Sequence, residues 1–148
     1  MSKSNLGKIG EDFVAHWLKD HNYSILTQRW RCHYGEVDLI VLKANVLAFV
    51  EVKTRSARNW DNNGLLAINN LKQSRLSRAA AYFLAQHAHL SQCSCRFDVA
   101  LVRSDNFLVL SEPINMLKVN INKPVNYQGC QLTLVDYIES AFELFEDC

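Results

Sequence analysis

The sequence has no apolar run near the roughly 20 residues that a bilayer-spanning helix needs, so no membrane segment is read in it. No apolar stretch follows Lys3, so no secretory signal is expected. Five cysteines (Cys32, Cys93, Cys95, Cys130 and Cys148) form an odd set without an export signal, which points to a reducing cytoplasm rather than a disulfide framework. Cys93 and Cys95 would make half a zinc site, but no second Cys/His pair follows at ligand spacing, and free thiols in a loop are the reading taken. Internal repeats and low-complexity segments are missing. Net charge is nearly missing as well, at +1, and alone gives no reason to expect a polyanionic partner.

What is present is an ordinary globular composition, 49% hydrophobic and 21% charged. The 148 residues suffice for one domain burying about two-thirds of its unfolded surface. The charge is segregated. Residues 1–103 carry 14 basic against 8 acidic residues, net +6, and residues 104–148 carry 2 against 7, net −5. A basic body with an acidic tail fits a phosphate-binding core.

The most informative stretch is Val46 to Thr54, rich in β-branched and aromatic residues and apolar on both faces, which predicts a buried central strand. Two ions interrupt it. Glu51 and Lys53 lie two apart, on one face and about 7 Å from each other. Burying either costs several kcal/mol, so each needs a reason to be there. The preceding segment, Gly35 to Leu42, is a second apolar strand with one acid, Asp38. The short polar linker Lys43-Ala44-Asn45 predicts an antiparallel hairpin. Strands about 4.8 Å apart then bring Asp38 and Glu51 to similar depth, where both reach one cation. Carboxylate oxygens suit Mg²⁺ or Mn²⁺ better than Zn²⁺.

The remaining segments read as follows. Gly10 to Asp20 predicts an amphipathic helix with Phe13, Val14, Trp17 and Leu18 on one stripe. Glu11 stands in its first turn, where an acid favours the macrodipole. Asn22 to Cys32 reads as a strand whose Arg29 and Arg31 would hold phosphate, with Trp30 expected in the core rather than stacked on a base. His33 is an exposed turn residue. Ser56 to Gly64, with Arg58 and Trp60, is a loop beside the active face. Leu65 to His87 is a long helix whose Lys72, Arg75 and Arg78 have no interleaved acids and are read as facing phosphate. Arg96 to Val102 is a strand, Asn106 to Leu110 its neighbour across a Ser104-Asp105 turn, and Asp98 is expected to have a structural partner such as Arg96. Leu132 to Phe145 reads as a terminal helix, with Asp136, Glu139, Glu143 and Glu146 on an acidic stripe. That stripe is either a solvated face or a competitor for the basic surface.

Asp38 followed by Glu51-Val52-Lys53 on the next strand resembles the D…(D/E)-x-K core of the PD-(D/E)XK nucleases. Gly7-x-x-Gly10-Glu11, Gly35 to Ile40, Phe49 to Arg55, Lys72 with Arg75-Leu76, and Arg96 to Val99 together resemble the YraN family of small bacterial endonucleases. The resemblance spans about residues 6 to 103, and the order of acids is similar to that of archaeal Holliday-junction resolvases. It implies a restriction-endonuclease-like α/β core over residues 1–110, a mixed sheet flanked by helices, with residues 111–148 a packed extension containing the terminal helix. It implies Mg²⁺ or Mn²⁺ on Asp38, Glu51 and the Val52 carbonyl, Lys53 at the attacking water, Glu11 completing the site, and Arg29, Arg31, Arg55, Lys72 and Arg75 on the nucleic acid. Branched or single-stranded DNA is the expected substrate, and a second copy of the chain an admissible partner. Two other classes stay open: a module that binds nucleic acid on this fold without cutting it, and an interaction protein in which Glu51 and Lys53 are a buried ion pair.

Overall fold

The computed structural model describes residues 3–60, 68–105 and 118–143. Helix α1 (Lys3–Asp20) is followed by strands β1 (Ser24–Cys32), β2 (Gly35–Lys43) and β3 (Val46–Ser56). Helix α2 (Asn70–Gln86), β4 (Ser94–Asp105), β5 (Val125–Tyr127) and β6 (Cys130–Phe142) complete the order. Among the described residues six strands form one sheet in the order β1-β2-β3-β4-β6-β5. Only β3 and β4 run parallel, joined through α2 as a crossover; the other neighbours are antiparallel. The expected mixed α/β core of restriction-endonuclease-like type is thus observed.

Alternation decides which side chains face which helix. Leu39 and Val41 of β2 and Ala48 and Val50 of β3 pack against Phe13, Val14 and Leu18 of α1. Ile40, Leu47 and Phe49 point the other way, onto Leu76, Ala79, Ala80 and Phe83 of α2. The predicted hairpin is present, with Lys43 paired to Val46 and a two-residue turn whose Ala44 has φ 51°. The small residues Ala79 and Ala80, both 1% exposed, let α2 approach the sheet closely.

One close approach fixes α1. A Cβ added at Gly10 would press on the side chain of Thr54, coming within 3.1 Å of its Cβ and 3.2 Å of its Cγ2. Gly10→Ala is expected to destabilise the protein by about 1–3 kcal/mol, read as a lower urea midpoint. Thr54→Ala removes Cγ2 and a buried hydroxyl that has no hydrogen-bond partner and leaves only Cβ in the way, so the double variant should recover most of the loss.

Four elements differ from expectation. Helix α1 starts at Lys3, not Gly10, so Glu11 stands in its middle and not in its first turn. The long helix starts at Asn70, not Leu65, because the Asn69 side chain accepts from Lys72 N at 2.8 Å and caps it there. Ile68 lies outside the helix, and residues 65–67 outside the described part. Ser104 and Asp105 are not a turn: β4 runs through both, pairing them with Leu132 and Gln131. The proposed partner strand 106–110 lies outside the described residues. The terminal helix is replaced by β6, which covers the open edge of β4. The acidic stripe is therefore no helix face. Asp136 and Glu139 project from a strand set inside the sheet, and Glu139 Oε2 lies 3.6 Å from Arg96 Nη1; Glu146 lies outside the described residues. The boundary set at residue 110 also lies outside them.

Candidate functional site

The β2–β3 ladder ends at Leu39 opposite Val50. Past that point a side chain takes over from the backbone: Val52 N–H donates to Asp38 Oδ2 at 2.8 Å. Asp38 shares the alternation of Ile40, and Glu51 and Lys53 that of Phe49, so all three belong to the α2 side of the sheet. Across from Asp38 in the β1 register, Arg29 holds a left-handed φ of 52°. A non-glycine residue in that region carries strain, which concentrates at working sites.

Asp38 and Glu51 line one cleft of about 390 Å³ together with Tyr34, Glu36, Asn69, Leu71, Lys72 and Arg75. From α2, Lys72 Nζ reaches Glu51 Oε1 at 2.6 Å. The Glu51 side chain is 11% exposed and that of Lys72 48%. Burial, then the Glu51 charge, pushes the Asp38 carboxyl up to about 8, against the pull of the Val52 N–H. A proton on Asp38 lets it hydrogen-bond Glu51. Lys53 is held below the ordinary lysine value by burial and the neighbouring cations Lys72 and Arg55, while Glu51 opposes that shift. Two carboxylates are crowded into a half-buried place, and Lys72 offsets the Glu51 charge only in part, since that charge still raises the Asp38 carboxyl. An all-oxygen donor set with that deficit fits Mg²⁺ or Mn²⁺, which keep several waters. Among the described residues no three side chains of His, Cys, Asp or Glu gather as a ready cage, and the fit rests on Asp38 and Glu51.

The other expected site residues are distributed unequally. Glu11 does not line the cleft; it sits on α1, bonded to Arg29 Nη1 at 3.2 Å, although its charge is felt at Asp38. Burial raises the Glu11 carboxyl, with Arg29 opposing. Arg29, expected on phosphate, is thereby occupied by Glu11 and lies 3.8 Å from Asp12. Arg31 is exposed, 3.6 Å from Glu36. Arg55 is exposed and donates to the Thr54 carbonyl at 2.9 Å. Arg75 lines the cleft beside Lys72. Trp30 rests edge-on against Phe83, at 5.4 Å, in agreement with the core reading. Trp60 is packed with Ile68, Val99 and Leu101 under Arg103, and residues 61–64 of its loop lie outside the described residues. Asp98 is structural as expected, bonded by Arg96. No disulfide joins Cys32, Cys93, Cys95 or Cys130. Tyr34 and Asn69 were not anticipated in the cleft. Tyr34 could have been found from its place just before Gly35, where β2 begins.

The profile described as "Uncharacterised protein family UPF0102" matches residues 10–102. A UPF0102 protein of Synechococcus sp. (strain JA-3-3Ab) is 47% identical over 97% of this chain and 93% of its own. One from Synechocystis sp. is 42% identical over 94% and 98%, and one from Acaryochloris marina 41% over 94% and 90%. These relatives align across the acidic tail as well. No described helix is long and apolar enough to cross a membrane.

Proposed function

The chain belongs to the uncharacterised protein family UPF0102, and from that premise we propose that it is a divalent-cation-dependent endonuclease hydrolysing DNA phosphodiester bonds. The supporting observation is the meeting of Asp38 and Glu51, from adjoining strands, in one cleft faced by Lys72 and Arg75, with Lys53 on the same side of β3. An ion held there by Asp38, Glu51 and the Val52 carbonyl would lower the pKa of a bound water and stabilise charge on the phosphorus-bound oxygens. Lys53 orients the attacking water and steadies a nonbridging oxygen. Arg75 holds a neighbouring phosphate. Lys72 is poised between Glu51 and an incoming phosphate and can exchange one for the other. Among the described residues no element offers base-edge readout, and the reading is of DNA recognised by shape, branched or single-stranded.

The test is cleavage of duplex, single-stranded, flapped and branched DNA with Mg²⁺ or Mn²⁺. Lys53→Ala is expected to lower the rate about 10²- to 10³-fold. Because its ammonium is held below the ordinary lysine value, wild-type activity should decline on the alkaline side earlier than a free lysine would dictate. Wild-type protein that binds DNA and cuts none of these substrates would establish the binding-module reading instead.

A further inference from the structure

Beside the cleft lies a group of rings that the chemistry leaves unused. His33 and Tyr34, in the turn between β1 and β2, stand 4.0 Å apart by ring centroid. Tyr82 on α2 meets His33 at 5.3 Å and Tyr34 at 6.4 Å. Trp30, 6.2 Å from Tyr82, packs edge-on against the buried Phe83 and backs the group from the core. Tyr34 also lines the carboxylate cleft, so rings and cleft are contiguous. Tyr82 is 37% exposed, and its hydroxyl accepts from Gln86 Nε2 at 3.2 Å. On α2 the exposed residues Arg75, Arg78 and Tyr82 are spaced by three and four, forming a single stripe. Neither arginine has an ion-pair partner among the described residues. From Asn62 to Phe97 the sequence holds no acid at all.

We propose that this cluster is a stacking platform for the unpaired bases of a DNA single strand, with Arg75 and Arg78 on its phosphates, feeding the strand toward Asp38 and Glu51. The proposal rests on the endonuclease reading for its choice of DNA. Paired bases are stacked on one another and turn no face outward, whereas unpaired bases lie down on tyrosine and histidine. A proline-rich peptide also favours aromatic surfaces. Two unopposed guanidiniums and a long acid-free segment complement a polyanion better.

Anisotropy of a labelled oligothymidine strand and of a blunt duplex of equal length, both in EDTA, tests this without cleavage. Tyr82→Ala should weaken single-strand binding about tenfold and leave duplex binding unchanged, while Tyr82→Phe keeps both. Arg78→Ala should weaken both and reduce the salt dependence by about one phosphate contact. Thermal melts of both Tyr82 variants exclude a folding defect. Equal affinity of wild type and Tyr82→Ala for the single strand, or an equal loss on both DNAs, overturns the platform. A proline-rich peptide that Tyr82→Ala releases, with DNA affinity untouched, overturns it too. The two readings fail separately. Tyr82-dependent single-strand binding by a protein that never cuts would leave the platform and remove the endonuclease.

Discussion

Asp38→Asn is expected to lower divalent-dependent DNA cleavage about 10²- to 10³-fold while making the metal-free protein more stable at alkaline pH. The two effects share one cause. The unfolded chain titrates Asp38 near 3.8 and the folded protein near 8. Between those values the folded state holds the extra proton, so stability from this group is full below about 4 and is lost as pH rises through about 8. The amide keeps an acceptor for Val52 N–H and gives Glu51 a donor at every pH. In EDTA, urea unfolding should show the variant close to wild type at about pH 4 and more stable by about 1–3 kcal/mol at about pH 9. Adding Mg²⁺ should raise the wild-type midpoint and leave that of the variant in place. A variant no more stable than wild type at the higher pH would show that Asp38 ionises in the fold without difficulty, and the cation deficit would vanish as an argument. Residual cleavage near wild-type rates would remove Asp38 from the chemistry.

The juxtaposition of Asp38 and Glu51 was legible in the sequence because strand periodicity is local and a two-residue turn transmits it faithfully. Leu39, Val41 and Val50 take one side, Ile40 and Phe49 the other, and the ions follow. The stripe of α1 was legible for the same reason, with Phe13, Val14 and Leu18 fully buried. The terminal strand was not, because bulges disguise its period. Leu134 faces Val102 and Asp136 faces Leu101, leaving Val135 as an extra residue. Further along, Ile138 faces Val99 and Phe142 faces Phe97, leaving two more, and Ser140 holds φ 52°. Those insertions convert an alternation of two into spacings of one, three and four, which imitate a helix. Helical spacing also hides a need that only the sheet reveals: β4 is buried on both faces from Phe97 to Val102 and requires a strand on each side. The Lys72–Glu51 pair was invisible for a different reason, since it joins residues 21 apart across a crossover. Composition allowed Lys72 to face phosphate; only the packing of α2 places it on the carboxylate.

That same terminal strand carries the second large effect: Asp98→Ala is expected to cost about 3–5 kcal/mol, enough to unfold much of the protein near physiological temperature. Asp98 is fully buried, and its carboxylate is saturated. Arg96 donates to it through Nε at 2.9 Å and Nη2 at 3.0 Å, Tyr137 through its hydroxyl at 2.6 Å, and Ser140 through its backbone N–H at 3.1 Å. Arg96 also donates to Tyr23 at 2.7 Å, so the network ties the start of β1 to β4 and β6. Removing the carboxylate strands a guanidinium whose side chain is only 18% exposed and releases the bulge that Ser140 closes. The pair raises both partners' proton affinity: the Asp98 charge, with burial ahead of it, drives the Tyr137 hydroxyl upward, and hydrogen bonds to Asp98 and Tyr23 raise Arg96 against the opposing effect of burial. Urea unfolding of Asp98→Ala, Tyr137→Phe and the double variant apportions the network. Tyr137→Phe alone removes one donor from a carboxylate that retains three, and should cost about 1–1.5 kcal/mol. The double variant should cost less than the sum, because the first change already abolishes the bond lost in the second. Additive losses would mean that Tyr137 supports the fold through its ring against Trp17, 4.8 Å away, and not through Asp98. An Asp98→Ala protein with an unchanged midpoint would show that β6 is not held to β4 by this charge at all.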